Sequence, residues 1–217
     1  MSIGLLRWYT PDSTFRRAAS HRLQEHFSDT SVQVWNSTRT WQSRLVSSRP
    51  RYSASVNLMM RYSEWCCALY QAVQEHGMNQ IEACELVETI MSDVYRPVPA
   101  ALFKLSRIRS AKRETRIKWL MSMITRYFFS SPFRHQHLPS EAGVAFDVTL
   151  CPLADYFNDK GVPELTQHAA CNLDYCAARE LGVDLIRTKT IADGAAHCDF
   201  RWNFSAHTER SQKVGYL

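Results

Sequence analysis

The spacing of apolar residues changes period partway along this chain, and that change limits the fold more than any single motif. Between residues 54 and 76, Leu58, Tyr62, Trp65, Leu69 and Val73 recur at helical intervals, and Gly77 follows as a stop signal. Asn79 is placed to cap a second helix carrying Ile81, Cys84, Val87, Ile90 and Val94, which Pro97 and Pro99 break. A long, kinked helix is expected from about 99 to 129. The period then drops to two: Val144, Phe146, Val148 and Leu150 alternate with Ala145, Asp147 and Thr149, as in a half-buried strand. Pro163 and Glu164 open a further helix through Leu181, and Gly182 suits its C-terminal stop.

Two β-rich runs, 184–192 and 196–204, flank Asp193–Gly194, which signals a hairpin. Segregation of apolar from charged faces favours a three-residue loop pairing Thr190 with Cys198 and Thr188 with Phe200. One face then holds Ile186, Thr188, Thr190, Ala192, Cys198, Phe200 and Trp202, with Cys198 inward. The other holds Arg187, Lys189, His197, Asp199 and Arg201, and Gly194 sits near the left-handed region. The expected class is α+β: an N-terminal helical layer packed on a small antiparallel sheet of at least three strands, with a C-terminal β-hairpin. Residues 51–217 read as a single domain, helical over 54–130 and strand, helix and hairpin over 144–204. Residues 1–50 read as an N-terminal extension. In it Phe15, Ala19, Leu23 and Phe27 have helical spacing, Asp12 or Ser13 is the N-cap, and Trp35 and Trp41 stand in an unassigned polar stretch.

Composition narrows the function classes. With 45% hydrophobic and 22% charged residues the chain has the balance of an ordinary globular protein. No apolar run approaches the roughly 18 residues that would span a bilayer; the richest, Trp119–Phe129, is interrupted by Arg126. No long apolar stretch precedes the first charges, so no secretory signal and a cytoplasmic location are expected. Seven cysteines in such a compartment are thiols, ligands or catalysts rather than a disulfide framework. The net charge is +5, and one basic cluster runs Lys104, Arg107, Arg109, Lys112, Arg113, Arg116 and Lys118. Zinc-finger spacing, RNP segments and Gly/Arg tracts are all missing, which argues against a nucleic-acid partner and for a solvated helix face or an acidic docking surface. A homo-oligomer is compatible with the sequence.

Chemistry concentrates in the last third. Cys171 and Asp174 are three apart on a predicted helix and share a face, where a carboxylate is costly unless paired or functional. The segments CPLADYF, GVPELTQHAACNLDYC and LIRTKTIADGAAHCDFRW closely resemble the L-2-amino-thiazoline-4-carboxylic acid hydrolase family. The residues that carry the resemblance are Cys151, Pro152, Pro163, Glu164, Leu165, Cys171, Asp174, Arg187, Thr188, Thr190, Ala192, Gly194, His197, Cys198, Asp199, Phe200 and Arg201. It covers residues 144–204 well and residues 55–130 in layout only, and the C-terminal half is also similar to 4-vinyl-reductase-type domains.

The resemblance implies hydrolysis of a cyclic amidine in a small carboxylated heterocycle. Cys171 would be the nucleophile, with Asp174 and either His168 or His197 moving protons and Cys198 lining the pocket. Arg187 or Arg201, with Thr188 and Thr190, would hold the substrate carboxylate; the other reading of the arginines is an exposed charge ladder. No cofactor is expected. The alternative is a zinc or iron–sulfur centre on Cys151, Cys171 and Cys198 with His168 or His197. Cys66, Cys67, Cys84 and Cys176 read as buried small hydrophobes, His135 and His137 as a solvated loop pair, and Asp155 as a surface residue. A second class of function on the same scaffold is a non-catalytic ligand- or metal-binding sensor, and a third an enzyme of a biosynthetic pathway acting on another heterocycle.

Overall fold

In the computed structural model, which describes residues 11–46 and 52–204, the helical period of residues 54–76 becomes helix α3, Ala54–Glu75. The Ser53 hydroxyl caps it by accepting from the Val56 N–H, and Gly77, at φ 93°, ends it. A reciprocal cap opens α4, Gln80–Tyr95: Asn79 Oδ1 accepts from Glu82 N at 3.0 Å, and Glu82 Oε2 accepts from Asn79 N at 3.4 Å. The stripe differs from expectation at Ile81, which is 71% exposed, the buried face of α4 beginning at Ala83 and Cys84.

The chain divides into two units, Met1–Tyr95 with Pro152–Leu173, and Arg96–Cys151 with Asp174–Leu217. In the first unit, α1 (Pro11–Phe27) and α2 (Ser31–Leu45) pack with α3 and α4. Phe15, Ala19 and Leu23 of α1 and Val34 of α2 are fully buried, so residues 11–46 are part of this core. Trp35 stacks on Trp65 at 5.3 Å, and Phe15 on Trp65 at 5.7 Å, which accounts for one aromatic of the unassigned stretch. Helix α7 (Pro152–Asp159) adds Phe157, and the segment after it adds Val162, Leu165 and Ala169. Glu164 ties that segment down by accepting from Gln80 Nε2 at 3.0 Å and from the Tyr70 hydroxyl.

The second unit holds a four-stranded antiparallel sheet in the order β1-β2-β4-β3, with β1 Arg134–Leu138, β2 Gly143–Leu150, β3 Asp184–Ile186 and β4 Cys198–Asn203. The α+β class therefore holds, with four strands where at least three were expected, and His135 and His137 lie on strand β1 and not in a loop. Phe146 of β2 stacks on Phe200 of β4 at 4.8 Å, and Phe129 meets both rings edge-on. The expected long helix from 99 to 129 is broken. It becomes α5 (Pro97–Leu105), a 3₁₀ turn (Ser106–Ile108) and α6 (Arg113–Tyr127), with Ile117, Leu120 and Met121 of α6 buried. Helix α8, Asn172–Leu181, starts in the first unit and has its remaining residues, from Asp174, in the second.

The hairpin register differs from expectation by one residue. Ile186 pairs with Arg201, Leu185 with Trp202 and Asp184 with Asn203. Strand β3 stops at Ile186, and a 3₁₀ turn (Ile191–Asp193) replaces the expected tight loop. Gly194 is left-handed, at φ 83°, as the stop of that turn. A one-residue slip exchanges the faces. Ile186 is consequently 49% exposed, while the Arg187 side chain is only 2% exposed. Face segregation failed as a guide because Arg187 carries its own compensation: an ion pair with Asp174, and flanking by the Tyr175 and Phe200 rings. Strand β4 keeps its alternation, with Cys198, Phe200 and Trp202 buried.

Candidate active site

The seven thiols sort by exposure. Cys66, Cys67, Cys84 and Cys176 are buried, as expected of small hydrophobes. Burial pushes the Cys67 thiol up to about 11, against a weak opposing pull from Lys160. Burial and then the carboxylates of Glu164, Glu88 and Glu85 push Cys84 to about 11 as well. Such thiols are poor nucleophiles at neutral pH. Cys198 is also buried, whereas Cys151 and Cys171 keep partial exposure.

In the first unit, Cys171 closes a π-helical turn, Gln167–Cys171, in which the Asn172 N–H reaches back to Gln167 O. Such turns add a residue to the helix and re-aim its side chains. Here His168 and Asn172, four apart, converge on one oxygen of Glu88 from α4. His168 Nδ1 lies 2.6 Å and Asn172 Nδ2 2.8 Å from Glu88 Oε2. An ionised carboxylate only accepts, so Nδ1 carries the proton of the neutral imidazole and Nε2 its lone pair. The pair is about one-third exposed, 28% at His168 and 34% at Glu88, within reach of a solute.

In the second unit, Asp174 in the first turn of α8 faces Arg187. Arg187 Nη1 donates to Asp174 Oδ2 at 2.7 Å. Burial raises the Asp174 carboxyl to about 6, outweighing the charge and hydrogen bond of Arg187. Cys198 accepts from the Ile191 N–H at 3.2 Å. Its thiol is nonetheless raised, because burial outweighs that bond and the nearby Arg187 charge.

The other residues singled out in the hairpin have partners within the protein. Asp199 accepts from Thr188 N at 2.8 Å, Thr188 Oγ1 at 2.7 Å and Lys189 N at 2.6 Å. Burial alone would raise its carboxyl, but these bonds together hold it below its ordinary value. Thr190 Oγ1 donates to Asp193 Oδ2 at 2.6 Å and accepts from Asp193 N at 3.1 Å. On the same face of β4 as Asp199, Arg201 Nη1 lies 2.8 Å from Asp147 Oδ1, and His197 Nε2 lies 3.9 Å from Asp147 Oδ2. Cys198 is buried, whereas His197, in the bend just before β4, lies on the Asp147 side.

Glu88 and Asn172 were not foreseen. The available signal was position: Glu88 lies four residues after the buried Cys84, at the margin of the buried face of α4. Among the described residues no three His, Cys, Asp or Glu side chains are grouped to hold a metal ion. The candidate ligands divide between the units, Cys171 and His168 in the first, Cys151, Cys198 and His197 in the second. No helix among the described residues is long and apolar enough to cross a membrane.

A family model described as L-2-amino-thiazoline-4-carboxylic acid hydrolase matches residues 59–202. No curated protein and no solved structure gives a significant match.

Proposed function

The chain belongs to the L-2-amino-thiazoline-4-carboxylic acid hydrolase family, and from that premise we propose that it opens a cyclic C–N bond in a small carboxylated heterocycle, with Cys171 as the nucleophile. The observation that carries this reading is the Glu88–His168 pair on the π-turn that ends at Cys171. Cys171 is the partly exposed thiol of that turn, whereas Cys198 is buried with its thiol raised. His168 is the general base, and Glu88, seconded by Asn172, is a positioning residue that fixes its tautomer.

The steps balance without an added cofactor. His168 Nε2 takes the Cys171 proton, and Sγ bonds to the amidine carbon of the ring. The C=N π bond opens as its ring nitrogen takes the proton from the imidazolium, and the ring C–N bond then breaks as the exocyclic amino group passes a proton to the departing nitrogen and becomes an imine. A water, deprotonated by His168, then adds to the same carbon, and Cys171 leaves as the thiol. The net change is the addition of one water and the opening of the ring. For an aminothiazoline carboxylate the product is an S-carbamoyl cysteine.

Ring-opening assays on purified protein, against a panel of aminothiazoline and related carboxylates, test the reading. Cys171→Ser should abolish turnover while leaving the melting temperature unchanged. Wild-type rates in that variant would overturn the assignment of the nucleophile. Saturable binding with no turnover of any panel member would instead favour the ligand sensor.

A further inference from the structure

The arginine- and tryptophan-rich stretch ahead of α3 has no part in that chemistry, and most of it precedes the family match. It builds a cavity of about 810 Å³ in the first unit, lined among others by Asp12, Arg16, Trp35, Asn36, Arg39 and Trp65. That is within the range of pockets for single small molecules. Trp35, half-buried, stacks nearly parallel on the buried Trp65, 8° apart at 5.3 Å, and Trp65 stacks in turn with Phe15. The cavity's one lining carboxylate is already engaged: Asp12 accepts from Trp65 Nε1 at 2.8 Å and from Arg61 Nε at 2.6 Å. Arg16 and Arg39, both exposed, have no carboxylate partner among the described residues.

From this arrangement we propose that the cavity binds a planar ring bearing an anionic group, carboxylate or phosphate. The ring extends the tryptophan stack, and the anion meets the forked donors of Arg16 and Arg39. Stacking needs a flat π-face and the arginines need a negative charge, so neither half of the ligand suffices alone. A second copy of this chain would bring the same two cations against the cavity and does not suit it.

Calorimetric titration of the full chain tests this with two ringed anions, adenosine 5′-monophosphate and quinoline-2-carboxylate, which separate the phosphate from the carboxylate source. Ribose 5-phosphate lacks the ring and adenosine lacks the charge. At least one ringed anion should bind, and each half-ligand should bind at least roughly tenfold more weakly, about 1.4 kcal/mol. The exposed pair Arg16→Ala with Arg39→Ala should lower affinity roughly tenfold or more without moving the melting temperature, and Trp35→Leu should lower affinity through the stack. Cys171→Ser should leave this binding unchanged, so failure here and failure of the hydrolase reading are separable. Absence of saturable binding by both ringed anions would overturn the proposal. So would full affinity in the double arginine variant, or much tighter binding of a single-stranded oligonucleotide than of either probe.

Discussion

His168, Cys171 and Asn172 fall within one stretch of backbone, and it is the side chain of Glu88, eighty-odd positions earlier, that gives the histidine a defined proton position. If His168 is the base, His168→Ala should lower kcat by roughly 10²–10⁴-fold. Glu88→Gln keeps an acceptor but removes the charge that stabilises the imidazolium. It should lower kcat by a smaller factor and leave KM in place. A kcat and KM both identical to wild type would show that Glu88 is only a packing partner. Asp174 and Asp199 make an opposed pair in the second unit. The Asp174 carboxyl is raised from 3.8 to about 6, so the folded state favours its protonated form. Its contribution to stability is complete below about pH 4 and is lost as pH rises through 6. This is on the order of 2 kcal/mol before solvent screening at its 27%-exposed side chain. Asp199 is lowered, and its contribution is present above its unfolded pKa and lost as pH falls. Urea midpoints measured from pH 4 to 7 should show Asp174→Asn and Asp199→Asn altering the pH slope in opposite senses.

At the scale of elements, the sheet depends on backbone geometry at two glycines, Gly194 in the hairpin and Gly143 on β2. Gly194 takes φ 83°, and a Cβ added there would have nothing within 4 Å, so a side chain meets strain and not a clash. Gly194→Val should cost about 2 kcal/mol in thermal melting, while Gly194→Asn, which tolerates the left-handed region, should cost much less. Equal melting temperatures for the two would show that the turn relaxes freely. At Gly143 the obstacle is contact: a Cβ would lie 1.8 Å from Trp202 O, so β2 and β4 approach only because that position lacks a side chain. The same sheet shows why charge ladders need arrangement. Asp147 and Asp199 are directly opposed on β2 and β4. Arg201 takes the first, and the Thr188 and Lys189 N–H groups take the second, which relieves the like-charge contact.

For the molecule as a whole, the described N-terminal helices are structural members of the first unit, since α1 and α2 bury Phe15, Leu23 and Val34 against α3 and α4. A chain lacking residues 1–51 should expose that face, bind hydrophobic dye and lose cooperative melting. A truncated chain that melts like the full one would show that α3 and α4 complete the core without them. The basic cluster is divided in role. Arg113 donates to Leu181 O at 3.0 Å and to Gly182 O, closing the end of α8. Arg116 is buried, with its guanidinium 4.1 Å from the Phe103 ring, and donates to Phe103 O and Ser106 Oγ. Lys104, Arg107, Arg109, Lys112 and Lys118 remain exposed, as a solvated face requires.

Local periodicity and local stop signals were enough to read α3, α4, the strand at 144–150, the α+β class and the left-handed turn at Gly194, because each depends on neighbours in the chain. The burial of Cys66, Cys67, Cys84 and Cys176 was legible for the same reason, as these thiols sit among helical apolar positions. The hairpin register was not. It rests on Arg187 being neutralised by Asp174, thirteen residues away, and no face-counting rule sees that compensation. Nor was Glu88 legible as the partner of His168, because only packing across eighty residues brings α4 beside the π-turn. Sequence alone determined α3, α4, the strand at 144–150 and which family the chain resembles, because these rest on local period and stop signals. Tertiary structure decided which charges meet, since pairing energies depend on distance and burial, and neither is written in the spacing of residues along the chain.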